Sequence, residues 1–400
     1  MTPKLRAPAL WALAAAVLAL GLSGCAEPPK AAVAVANEVL PFEQAVAQAA
    51  DGLVQQTQQT PGLLGRAARR TIVLDPMLDA STGQQTVATQ LLQQRVAERM
   101  NAKAELFEIL PFRVDSLARA QWLLTGTMTR VPSDRSDPAR RINLALTDLK
   151  TGQVIAQTTA LARDQGLDHT PLPYYRDSPV LVKDQVIDGY VRTTATKPGG
   201  PADKYYLERF AVAPVIDQAT ASYNAEHYQE ALSGYRSALS MPAGEQLRVL
   251  NGLYLSETRL GHATEAEQAF GRVVAFGIQY DELGVKFLFN PGTTEFWSDP
   301  RISGVYPMWL RQIAREAQSA KVCMNVVGHT SRTGTEQVND TLSLKRANVI
   351  RQRLNGEQAT LTARLQSSGM GFRENIVGSG TDNAIDALDR RVEFKIVACP

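Results

Sequence analysis

The stretch Val322-Cys323-Met324-Asn325-Val326-Val327-Gly328-His329-Thr330-Ser331, continued through Asn339 and Leu342-Ser343 to Arg346-Ala347, decides how the C-terminal third of this 400-residue chain is read. The apolar run reads as a strand that ends in glycine and polar turn residues, and a helix is expected from about Leu342 to Leu354. Working outward, Val285 to Asn290 reads as a strand, Met308 to Ala320 as a helix, and final strands fall near Ile376 and over Val392 to Val397. Strands alternating with helices make an α/β unit.

The order Gly328-His329-Thr330, then Asn339, Leu342-Ser343, Arg346-Ala347 and Arg390-Arg391-Val392-Glu393, resembles the OmpA-like peptidoglycan-binding domain, whose core pattern is GHTD, N..LS..RA and NRRVE. The resemblance covers about Leu283 to Ala398, with Gly378-Ser379-Gly380 standing where that family has a glycine-containing turn. It implies that the site grips diaminopimelate of the peptidoglycan stem peptide, and it directs attention to Asn290, Thr330, Ser331, Asn339, Arg346 and Arg390. Chemically, Arg346, read as lying near a helix start, offers a bidentate fork to a carboxylate beside main-chain amides at the positive end of the helix dipole. Thr330 and Asn339 can add orienting hydrogen bonds. Ser331 departs from the family, which has aspartate there. A hydroxyl removes the charge partner of the ligand's ammonium, an interaction of roughly 1.5–3 kcal/mol. Asp389, where the family usually has asparagine, is a candidate substitute acid, or a partner of Arg390 or Arg391.

The N-terminus locates the protein. Lys4 and Arg6 precede an apolar run from Ala7 to Leu22, the order of a secretory signal. The run ends in Leu22-Ser23-Gly24-Cys25, which resembles the lipobox of bacterial lipoproteins; the alternative is a simple signal peptide with an incidental cysteine. Acylation of Cys25, with chains such as palmitate, would add about 0.8 kcal/mol of membrane affinity per buried CH2. Ala26 and Glu27 after the cysteine, in place of an inner-membrane retention aspartate, favour the outer membrane facing the periplasm. In that oxidising compartment Cys323 and Cys399 could form a bridge; two buried free thiols are the other reading.

Residues 1–24 are thus expected to be a signal peptide and 25–40 the acylated cysteine and a proline-containing tether. Residues 41–192 follow as an α/β module. Its signals are a polar helix over Gln44 to Gln59, a strand at Thr71-Ile72-Val73-Leu74, and a helix capped by Ser81 and running through Met100. Strands at Trp122 to Met128 and around Ile142, Leu144 and Leu146 complete it, followed by a turn at Lys150-Thr151-Gly152 and a strand through Gln157. This order is loosely similar to periplasmic assembly lipoproteins of the CsgG, FlgO and LpoB kind. Residues 193–204, with Lys197-Pro198-Gly199-Gly200-Pro201, read as a linker. In 205–280, Tyr228, Ala231, Leu232, Tyr235 and Ala238 are answered 35 residues later by Ala263, Ala266, Glu267, Phe270 and Val273, close to the roughly 34-residue tetratricopeptide period. This segment is either a helical spacer or a peptide-binding groove. Residues 281–400 form the OmpA-like unit.

The fold class is therefore multidomain α/β and α. With 42 basic and 40 acidic residues, or 40 of each once Lys4 and Arg6 leave with the leader, the charge gives no nucleic-acid footprint. Four histidines, three cysteines and no CxxC or HExxH leave no metal, cofactor or catalytic motif. His329, His227, His262 and His169 read as turn or loop residues. The expected function is non-covalent peptidoglycan binding by an outer-membrane lipoprotein, not an enzyme, with protein partners from an envelope complex. The alternative is an assembly or scaffold lipoprotein of a secretion or surface apparatus that uses the C-terminal unit for docking.

Overall fold

The computed structural model describes residues 38–59, 69–103, 105–131, 138–290, 292–377, 380 and 385–399. The expected leader, Cys25, most of the tether, and Gly378 and Ser379 of the glycine turn lie outside these residues.

The chain enters through β1 (Val39–Leu40) and α1 (Phe42–Gln59), whose Ala45, Val46, Ala49, Leu53 and Val54 recur at helical spacing and are buried. There follow β2 (Arg70–Leu74), β3 (Leu78–Asp79), α2 (Val87–Asn101), β4 (Phe107–Leu110), α3 (Val114–Leu117), β5 (Trp122–Val131), β6 (Ala139–Asp148) and β7 (Gln153–Arg163). They build a seven-stranded mixed sheet ordered β1-β7-β6-β5-β2-β4, with β3 beside β5. Successive strand residues face opposite sides. Ile72 and Leu124 meet α1 and α2 in one core, whereas Val73 and Leu123 join Tyr190, Tyr206 and Phe210 in another. Ser81 does not cap α2. Thr86 does, in a capping box with Thr89, while Ser81 is held in a turn by its N–H donating to Asp79 Oδ1 at 3.0 Å.

Next come α4 (Pro173–Asp177), α5 (Gln185–Ala195) and α6 (Lys204–Arg209). Residues 193–204, read as a linker, are built into the fold: Val154 N–H donates to Gly200 O, Gly199 N–H to Val154 O, and Thr193 and Ala202 are buried. Proline and glycine here shape a turn alongside β7 rather than a tether. Beyond it lie two helix pairs, α7 (Ala213–Asn224) with α8 (Tyr228–Ser240) and α9 (Leu247–Arg259) with α10 (Ala263–Tyr280). The 35-residue echo falls on α8 and α10, each preceded by a histidine at the N-cap. Gly252 permits the close crossing, since a Cβ there would lie 2.4 Å from the Tyr235 ring.

The last part comprises β8 (Gly284–Val285), α11 (Pro300–Ser303), α12 (Tyr306–Ala320), β9 (Cys323–Gly328), α13 (Glu336–Glu357), β10 (Leu365–Gly369) and β11 (Val392–Val397). Its sheet is ordered β10-β9-β11-β8, with β9 and β10 parallel and β11 antiparallel to both β9 and β8. Cys323 and Cys399 are joined by a disulfide with Cα atoms 5.2 Å apart. One core runs from the helix pairs into this sheet, uniting Tyr235, Phe270 and Trp309 with Phe287, Met324 and Phe394.

Three elements of this last part also differ from the sequence reading. The expected strand Val285–Asn290 keeps only its start, because Phe287 and Phe289 turn into an aromatic cluster with Phe296 and Tyr306. The strand expected near Ile376 is β10, earlier in the chain; Ile376 sits in a bend whose N–H donates to Asp389 Oδ1 at 2.7 Å. The helix expected from Leu342 starts at Glu336, capped by Thr335. Among the described residues no helix is long and apolar enough to cross a membrane.

Candidate ligand-binding site

β9 delivers Gly328 to the end of its strand, and the loop 329–335 carries the chain to the N-terminus of α13. The helix lies directly on the sheet: a Cβ at Gly328 would stand 2.1 Å from Ser343 O, and one at Gly369 2.5 Å from Ser343 Oγ. Ser343 Oγ donates to Asp340 O at 2.9 Å and accepts the Gly371 N–H at 3.0 Å. The glycine and serine of the motif thus dock the helix on the strands.

Asn339 then fixes the loop, its Nδ2 donating to Thr333 O at 2.9 Å and Thr335 O at 3.1 Å. Thr330 N–H donates to Gly371 O at 2.8 Å, yet its buried Oγ1 has no hydrogen-bond partner among the described residues. The ring nitrogens of His329 beside it are likewise buried without a hydrogen-bond partner among the described residues. Ser331 follows it, 6% exposed.

Arg346 lies in the third turn of α13, not near its start, so the helix-dipole contribution expected for it falls instead on residues 336–339. The residue is 4% exposed: Nε donates to Thr293 O at 3.1 Å, Nη2 to Asn290 O at 3.3 Å, and Cζ lies 4.9 Å from the Phe289 ring centroid. Asn290 thus enters through its carbonyl, while its Oδ1 accepts the Ser298 N–H. Sequence reasoning missed Thr293 and Phe289; the aromatic spacing Phe287, Phe289, Phe296 was the available signal.

Asp389 is fully buried, and its Oδ1 accepts the N–H groups of Ile376 and Val377. It thereby organises the 376–377 bend. Arg391 pairs with Glu393 at 2.6 Å. Arg390 lines a separate large cavity, whose walls include none of Thr330, Ser331, Asn339 or Arg346.

Behind the loop, His329 is buried with Nε2 3.5 Å from Glu393 Oε2. Burial by itself would raise the Glu393 carboxyl, but His329 and Arg391 beside it outweigh this and hold it at about 2. Ligand atoms of His329, Glu374 and Glu393 lie within 4.8 Å of one another, the spread of a metal set. Their negative charge is already met by Arg391 and by Lys395, 3.5 Å from Glu374 and 3.8 Å from Glu393, so the group acts as an ion-pair network. The other histidines also serve structure: His262 meets Glu257 at 2.7 Å and His169 meets Asp164 at 2.5 Å, while His227 is exposed beside Glu230.

Residues 288–387 match the family model described as OmpA family. The C-terminal part is an OmpA-like domain. The match spans a quarter of the chain. Among solved structures, the peptidoglycan-associated lipoprotein from Burkholderia pseudomallei is similar at 23% identity, covering 30% of this chain and 92% of that one, with a TM-score of 0.24. The cell wall anchor of the T6SS from Pseudomonas aeruginosa is similar at 20% identity over 32% of this chain and 96% of that one, TM-score 0.25. The periplasmic domain of Helicobacter pylori MotB is similar at 20% identity over 29% and 73%, TM-score 0.23. No curated protein matches the chain.

Proposed function

We propose that the chain is an outer-membrane lipoprotein, acylated at Cys25, that holds peptidoglycan non-covalently through its OmpA-like domain. It ties the outer membrane, or a complex attached to it, to the cell wall. In this reading residues 1–24 are removed as a leader, 25–40 run from the lipid into the fold, which they join at β1, 41–192 continue as an α/β module, and the helices of 205–280 form a tetratricopeptide-like spacer. The ligand is the diaminopimelate-bearing stem peptide, and no chemical turnover is involved.

The observation that carries the reading is the family match over 288–387, centred on the loop where Thr330 has an unpartnered buried hydroxyl. Ser331 and Thr330 contact the ligand's amino-acid end, Asn339 holds their loop, and Arg346 meets a stem carboxylate once Asn290 and Thr293 yield it. Without an aspartate at 331 the binding is about ten- to hundredfold weaker than a charge-paired site would give. The engagement of Arg346 by two main-chain carbonyls also suits the alternative, a scaffold lipoprotein whose domain docks protein.

Co-sedimentation of the chain from Ala26 onward with purified sacculi, at two salt concentrations, separates the two. The wall-binding reading requires pelleting that is reduced in Arg346→Gln and increased in Ser331→Asp. Pelleting of neither wild type nor Ser331→Asp would leave only the docking reading.

A further inference from the structure

A cavity of about 880 Å3 opens where α4, α9, α11 and α12 meet the segment after β8, and its walls include none of Thr330, Ser331, Asn339 or Arg346. Its volume suits a sizeable small molecule. Tyr254, Tyr306 and Trp309 form an apolar wall whose polar atoms are spoken for: Trp309 Nε1 donates to Tyr254 Oη at 2.8 Å, and Tyr306 Oη accepts the Leu288 N–H at 3.0 Å. Ile302, 39% exposed, stands at the rim.

The charge of the wall is one-sided. Arg176, Arg259, Lys286, Arg301 and Arg390 line it, against the single lining acid Asp177, which is engaged by Arg176 and Arg259, while Arg301 is paired with Asp299 at 2.7 Å. Lys286 is the distinctive group. Its Nζ reaches only the carbonyls of Tyr175 at 3.4 Å and Arg176 at 3.3 Å, and among the described residues no carboxylate lies within 4 Å of it. Burial pushes this ammonium down to about 8, with the charge of Asp177 offsetting part of the effect. An anion with an apolar body would find here both a cation and an aromatic wall.

We propose that this cavity binds an anionic amphiphile, its carboxylate or phosphate head against Lys286 and its alkyl body against Tyr254, Tyr306 and Trp309. Such a head group can come from a free fatty acid or from a phospholipid. The proposal is independent of wall binding at Arg346.

The test uses the delipidated chain from Ala26, in which Trp297 and Trp309, two of its three tryptophans, line the cavity. Titration with dodecanoate below its micelle concentration is expected to change tryptophan fluorescence saturably, with dodecanol and dodecyltrimethylammonium at least tenfold weaker. Lys286→Met should weaken dodecanoate at least tenfold while leaving dodecanol and sacculus pelleting unchanged. Ile302→Glu, at the rim, should weaken dodecanoate by a similar factor without touching the buried wall. Phosphatidylglycerol vesicles that compete with dodecanoate would assign the head group to a bilayer lipid; vesicles that do not compete would assign it to a free acid. No saturable signal in wild type, an equal response to the cationic amphiphile, or unaltered dodecanoate affinity in both variants would overturn the proposal.

Discussion

Replacing Asp217 with asparagine should stabilise the protein at pH 8 and flatten its pH dependence. Asp217 on α7 and Asp75 at the end of β2 share a small enclosed space with Arg248 and Tyr190. Burial, then the charge of Asp75, raises the Asp217 carboxyl to about 7; burial raises Asp75 to about 6, although Tyr206 Oη donates to it at 2.5 Å. An acid whose pKa rises on folding holds its proton better when folded. Its stabilising contribution is fully present below about pH 4 and is lost as pH climbs through the folded value. From pH 5 to 8 the loss is about 2.5 kcal/mol for Asp217 and about 1.5 kcal/mol for Asp75, at 1.36 kcal/mol per pKa unit. The two share repulsion, so the sum is an upper value. Glu282, raised to about 7 chiefly by burial, adds to the trend. Urea unfolding at pH 5, 6.5 and 8 reads this directly. Wild type should lose about 2–4 kcal/mol across the range, and Asp217→Asn should lose visibly less and exceed wild type at pH 8 by about 2 kcal/mol. An Asp217→Asn variant no more stable at pH 8, with the wild-type slope, would refute the reasoning.

Other outcomes follow from the same contacts. Reducing the Cys323–Cys399 bridge frees a loop closed over 76 residues, so Cys323→Ala/Cys399→Ala should unfold with about 4 kcal/mol less stability in urea. Gly328→Ala forces a methyl against Ser343 O and should cost about 3 kcal/mol, seen as a lowered Tm. Arg346→Ala removes two charge-assisted bonds to carbonyls, worth about 3 kcal/mol together, and should speed amide exchange over residues 292–298.

The C-terminal part was the more legible because its motif residues make the fold: Gly328 and Ser343 let α13 touch the sheet. Apolar periodicity also exposed β2, β5 and β6, where neighbouring residues face two buried sides. What the sequence hid is tertiary. The glycine- and proline-rich 193–204 looks like any tether until main-chain bonds to Val154 are seen. The polar first turns of α13 concealed its true start, and with it the distance of Arg346 from the helix end. Phe287 and Phe289 alternate like a strand but are drawn into an aromatic cluster that only α12 completes. Lys286 carried no signal at all, since its character comes from the burial that α4 and α9 impose on it and from Asp177 being engaged by Arg176 and Arg259.

The central claim is that the loop after β9 recognises the amino-acid end of the stem peptide. Calorimetric titration of the chain from Ala26 with a soluble diaminopimelate-containing stem peptide tests it most directly. Saturable binding that tightens about tenfold in Ser331→Asp and falls away in Arg346→Gln is the outcome expected. Absence of binding heat in both wild type and Ser331→Asp, with the proteins folded, would contradict it.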